Sequence, residues 1–100
     1  MTDEELLTKV KPALGIGGTF QDETLLIYIA EVKEFLLDAG ISESIVSSNK
    51  AIGVICRGVA DLWNYGAGEA KFSDYFIMRA TQLALQNPSQ DIPTAEPEYF

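Results

Sequence analysis

The 100-residue chain contains no histidine and a single cysteine. Without histidine it lacks the commonest general base, metal ligand and neutral-pH switch together. One thiol, Cys56, excludes an internal disulfide and fits a reducing cytosolic setting. Cys56 falls on an apolar stripe with no partner base, so it reads as a packing residue. Basic residues are scarce, with seven Lys and Arg against fifteen Asp and Glu and a formal charge of −8. Tight duplex binding draws most of its affinity from neutralised phosphates, so this balance argues against holding DNA or RNA, and equally against an anionic membrane surface. No apolar run approaches the ~20 residues needed to cross a bilayer. The opening Met1-Thr2-Asp3-Glu4-Glu5 has neither the basic nor the apolar region of a signal peptide, so no secretory leader is expected.

What is present suits one folded domain with a modest core, since 47% of the residues are hydrophobic. The periodicity predicts an all-α fold: a small bundle of about four helices over residues 1–87, then an extended tail. The first helix spans about Asp3 to Leu14, with Leu6, Leu7, Val10 and Leu14 at helical spacing and acids in its first turn. Pro12 sits late in it and is expected to kink its last turn or end it early. Gly15-Ile16-Gly17-Gly18 breaks the chain. Asp22 is expected to cap the second helix, whose stripe is Leu25, Ile29, Val32 and Leu36, flanked by Tyr28, Phe35 and Ala39. Glu31, Glu34 and Asp38 mark its wet face, where Ile27 also falls, and Gly40 stops it.

The third helix is predicted from Ser47 or Ser48 to Tyr65, burying Ile52, Ile55, Cys56, Val59, Leu62 and Trp63. Gly53 and Gly58 within it suit a close backbone neighbour. The Gly66-Ala67-Gly68 stretch reads as a tight turn. The fourth helix is capped by Ser73, carries Phe76, Ile77, Ala80, Leu83 and Ala84, and ends at Asn87-Pro88. Trp63, Tyr65, Phe72 and Phe76 read as core anchors rather than a ligand cage. Leu25, Ile29, Val32, Leu36, Ile52, Cys56, Val59, Trp63, Phe76 and Leu83 are together expected to be mostly buried. Residues 88–100, PSQDIPTAEPEYF, are too polar and proline-rich to build a core and read as a flexible acidic tail, though one that keeps Ile92, Tyr99 and Phe100.

No constellation for chemistry emerges. The acids are scattered over helix faces, without the spacing of a calcium loop. "GIGG" and "GAGEA" lack the Lys-Ser/Thr of a phosphate loop and follow no strand. The Asp-Ser-Leu helix start of an acyl carrier is also missing. No catalytic residue, cofactor or metal is therefore expected, and the chain does not read as an enzyme.

The segments Asp61-Leu62-Trp63-Asn64-Tyr65-Gly66 and Phe72-Ser73-Asp74-Tyr75-Phe76, continued by Ile77-Met78-Arg79-Ala80-Thr81-Gln82-Leu83, resemble the last two helices of the tailed-phage head–tail connector family. Its members are also called head-completion or DNA-packaging adaptor proteins. As a pattern the similarity runs from residue 22 to 86. Where one branch of the family carries Gln-Leu-Arg-Gly, this chain has Gln82-Leu83-Ala84-Leu85. The resemblance implies a structural subunit of a ring, often dodecameric, between the portal protein and a tail-side connector or stopper protein. Genomic DNA would pass through the channel without specific binding, and no membrane is involved. The protein would reside in the virion at the head–tail junction, after assembly in the cytoplasm of the bacterial host. On this reading the candidate subunit contact sets Ile27, Glu31 and Glu34 against Lys71 or Arg79 of the next copy, and Ile92, Tyr99 and Phe100 dock on a neighbour or the portal. The alternative from another class is a small acidic helical regulator, of antitoxin or anti-repressor type, that binds a protein target.

Overall fold

The computed structural model describes residues 2–69 and 72–86, and of residues 65–69 the backbone alone. The described chain is all-α. It forms α1 (Asp3–Leu14), α2 (Asp22–Asp38), α3 (Glu43–Val46), α4 (Ile52–Glu69) and α5 (Asp74–Gln86), with a 3-10 turn at Asn49–Ala51 and no strand among the described residues. The tail expected over residues 88–100 lies outside them.

Local chemistry explains most boundaries. Thr2 and Glu5 close a capping box on α1: the Glu5 N–H donates to Thr2 Oγ1 at 3.1 Å and the Thr2 N–H to Glu5 Oε1 at 2.8 Å. Pro12 does not end α1 early. It stands on the exposed side near the terminus, where water can take the Thr8 carbonyl left without a backbone donor. Both long N-terminal helices stop by one device. Gly15 (φ 73°) and Gly40 (φ 97°) adopt the left-handed conformation that side chains resist. The next N–H reaches back to the helix, from Ile16 to the Lys11 carbonyl at 2.8 Å and from Ile41 to the Leu36 carbonyl at 3.2 Å. Each glycine thereby turns an isoleucine inward, and Ile41 is buried.

Three boundary expectations are corrected. Gln21, not Asp22, holds the N-cap position of α2 and makes no side-chain cap; Asp22 is the first helical residue, and its carboxylate takes a 2.7 Å ion pair from Lys11. A fifth, single-turn helix, α3, forms where four helices were expected, because Ile41 and Val46 are both drawn into the core and the chain between them must turn tightly. Finally, Gly66-Ala67-Gly68 is helical and belongs to the end of α4. Extending a helix already four turns long is cheap compared with starting one, so about 1 kcal/mol per glycine does not stop it.

The core is a triangle of α1, α2 and α4. Leu6, Leu7 and Val10 meet Leu25, Ile29, Val32 and Leu36, and both sets meet Val54, Ile55, Val59 and Leu62. Helix α5 lies against α4 through Phe76, Ala80 and Leu83. Of the residues expected in the core, Ile52, Cys56 and Trp63 are half-buried at its edge, and α4 instead covers Val54, Gly58 and Asp61. Its buried face is therefore rotated toward Gly58 and Asp61, which hydropathy scores as spacers. The cause is close approach: a Cβ on Gly58 would stand 2.7 Å from the Phe76 ring and 3.0 Å from Val32.

Candidate functional site

The described residues contain no group of three or more His, Cys, Asp or Glu placed to hold a metal ion. No described helix is long and apolar enough to cross a membrane. The functional candidates are therefore surfaces, and the buried polar cluster that shapes one of them.

That cluster centres on Asp61, 1% exposed and the only buried charged residue among those described. Its Oδ2 accepts the Ser73 backbone N–H at 2.9 Å and the Ser73 hydroxyl at 2.8 Å, while Oδ1 accepts from the Arg57 guanidinium at 2.8 Å. The Ser73 oxygen in turn accepts the Phe76 N–H at 3.2 Å, which is the N-cap of α5 expected at that serine. One carboxylate thus fixes the start of α5 on α4. The Arg57–Asp61 spacing of four residues was visible in the sequence as a helical ion pair, but its burial was not. Every printed hydrogen bond of the cluster is spent on joining α4 to the cap of α5.

Above it lies an aromatic and basic face. Arg57 stands 5.8 Å from the Tyr75 ring centre, and the Arg79 guanidinium donates to the Tyr75 hydroxyl at 3.3 Å. Tyr75, Met78, Arg79 and Leu85 are exposed along α5. The candidate contact residue Arg79 therefore belongs to a defined patch. Lys71, Ile92, Tyr99 and Phe100 lie outside the described residues. The candidate residues of α2 share a second face: Ile27 is 64% exposed, and Glu31 and Glu34 are exposed near it, with Glu23, Leu37 and Asp38. This face is apolar and acidic, the α5 face apolar and basic.

Of the anchors, Phe76 is wholly buried, Phe72 and Trp63 are half-buried, and the Tyr65 side chain is outside the described residues. Phe35, Phe72 and Phe76 form a cluster with ring centres 4.4, 4.8 and 5.5 Å apart, which ties α5 to α2. Beside it opens a groove of about 200 Å³ lined by Phe35, Ala39, Ile77, Ala80, Thr81 and Ala84. Burial pushes the Cys56 thiol pKa up, so the protonated, unreactive form is favoured.

Sequence reasoning missed Phe20, the most exposed large apolar side chain among the described residues at 92%. It stands in the loop between α1 and α2, which Lys11 fixes by donating to the Gly18 carbonyl and pairing with Asp22. An aromatic one residue before a helix cap was the available signal, but it suggests packing inward rather than display.

Compared with protein-family models, with curated proteins and with solved structures, the chain finds no match in any of the three.

Proposed function

We propose that the protein is the subunit of a head–tail connector, a ring that seats between a phage portal and its tail and passes DNA through its bore. The observation that carries this reading is the pair of unlike exposed helix faces: acidic and apolar on α2, basic and apolar on α5. Two different, complementary patches are what a head-to-tail contact uses, and such contacts close into rings when the rotation between copies completes a circle. The resemblance of residues 61–66 and 72–83 to connector proteins supplies the biological setting. The subunit acts as a structural part and not as an enzyme. Its partners are further copies of itself, the portal protein and the tail-side connector or stopper.

Charge assigns the bore its behaviour. With a formal charge of −8 per subunit, a ring repels the phosphates threading it, and DNA slides instead of sticking. The test is electron microscopy of the concentrated protein, alone and mixed with a phage portal protein. Closed rings with a central channel, seated on the portal, are expected. A stable monomer or dimer that ignores the portal and captures a toxin or repressor would replace this reading with the regulator one.

A further inference from the structure

We infer that adjacent copies lock together by Phe20 of one subunit entering the α2–α5 groove of the next. This deepens the ring reading and rests on it only for the closure of successive contacts into a circle.

The first part of the argument is that Phe20 has no use within its own subunit. It occupies the position just before the α2 cap, where an apolar side chain ordinarily folds back onto the fourth helical residue, here Leu25. Instead Phe20 is 92% exposed, while Leu25 is wholly buried by other helices. The loop that carries it is held at both ends. Lys11 bonds the Gly18 carbonyl and Asp22, and the Asp22 N–H donates to the Thr19 carbonyl at 3.1 Å. The ring is therefore displayed by an ordered support, which lowers the entropy cost of binding it.

The groove is the matching half. An apolar cavity of ~150 Å³ accommodates benzene, and the groove offers about 200 Å³ with a floor of alanines. Its lip on α5 adds exposed Ile77, with Met78 and Leu85 further round the same side of the helix. Its lip on α2 carries Glu31 and Asp38, while the Phe20 end of the molecule presents the exposed Lys9 of α1. Exposed Glu23 also stands beside Phe20, so one cation and one acid flank the knob and the contact is mainly apolar.

Geometry forbids the contact within one chain. Phe20 precedes α2, and the groove involves Phe35 and Ala39 near its far end. At 1.5 Å per helical residue they are about 20 Å or more apart. A knob and a hole at opposite ends of one helix can be satisfied only by a second copy, and repetition gives a directional series.

The test combines capping and cross-linking, read by mass photometry and sedimentation from micromolar to millimolar protein. Phe20→Asp removes the knob, and Thr81→Arg blocks the groove; both positions are exposed, and circular dichroism verifies the fold. Each variant alone is expected to associate at least about thirtyfold more weakly than the unaltered protein. An equimolar mixture is expected to form heterodimers and stop there, because each partner retains one working half. In a Cys56→Ser background, the pair Thr19→Cys and Thr81→Cys, which keeps the Phe20 ring, is expected to give a ladder of disulfide-linked oligomers. Disulfides need Cα atoms within about 7 Å, so bonds inside a chain are excluded. Rings that persist in Phe20→Asp would overturn this contact while leaving the connector reading intact. A protein that neither associates nor cross-links at millimolar concentration would overturn the contact itself.

Discussion

Replacing Asp61 by alanine isolates the one buried charge among the described residues and asks what it holds. Three donors lose their acceptor: the Ser73 N–H, the Ser73 hydroxyl and the Arg57 guanidinium. The consequences differ by exposure. Arg57 is 42% exposed and rehydrates, so its side of the ion pair is worth roughly 0–1 kcal/mol. The Ser73 N–H is part-buried and has nowhere to turn, which costs about 1–3 kcal/mol, and the weakened cap adds about 1 kcal/mol. Asp61→Ala should therefore destabilise by about 3 kcal/mol, whereas Arg57→Ala should cost under about 1 kcal/mol. In a domain of this size about 3 kcal/mol lowers Tm by roughly 12–24 °C. Urea titration followed by circular dichroism gives both values, and Ser73→Ala completes a double-mutant cycle with Asp61→Ala. Coupling of at least about 1 kcal/mol between Asp61 and Ser73 is expected. Equal losses for Asp61→Ala and Arg57→Ala, or additive losses for Asp61 and Ser73, would refute the reasoning, since the staple would then be an ordinary surface pair.

Two glycines of α4 should respond to alanine with opposite signs. Gly53→Ala meets nothing within 4 Å and should stabilise by about 0.5–1 kcal/mol, while Gly58→Ala drives a methyl into Phe76 and Val32 and should destabilise by about 1–2 kcal/mol net of helix propensity. Matched urea midpoints decide it, and a stabilised Gly58→Ala would show that Phe76 has room to move. Alkylation of Cys56 by iodoacetamide should rise about tenfold per pH unit straight through the ordinary thiol pKa of about 8.5, because burial pushes its pKa up. A rate plateau near that pH would contradict the buried environment. Self-association should strengthen as salt is raised from low to physiological ionic strength, since screening over about 8 Å relieves repulsion between acidic copies more than it weakens an apolar knob. Dissociation by salt would point to ion pairs as the main contact.

The elements were legible where capping and periodicity coincide. The acidic first turn of α1, Gly15, Gly40 and Ser73 are all local signals, and the helices start or stop at them. The stripe Leu25, Ile29, Val32 and Leu36 was readable for the same reason, because one face of α2 is covered throughout. Helix α4 was harder, since it is covered from two directions. Its facing is set by where α5 crosses, and that crossing depends on the absence of a side chain at Gly58 and on a charge at Asp61. Neither feature has a hydrophobic signature, so the apolar pattern pointed toward Ile52, Cys56 and Trp63 instead. Of the candidate surface, Ile27 was visible as an apolar exception on the wet face of α2, and Arg79 as one of the few basic residues. Phe20 was not, because the position before a cap gives no sign of which way its side chain turns.

In the proposed ring, the distribution of acids bears on which exposed apolar faces can meet. Ile27 stands one helical turn from both Glu23 and Glu31, and Leu37 lies beside Glu34 and Asp38. Like-charged copies meeting through two α2 faces repel, so that pairing is disfavoured by charge even though it would cover apolar area. The α5 face is different: Asp74 and Arg79 are its only charges over residues 74–86, and Arg57 adds a second cation from α4. Contact between unlike faces therefore gains what contact between like faces loses. Selectivity of this kind needs no strong ion pair, since it works by penalising the wrong geometry. In the proposed ring it leaves the apolar contacts, Phe20 foremost, to set the affinity, and the acids to bias copies toward joining in one direction.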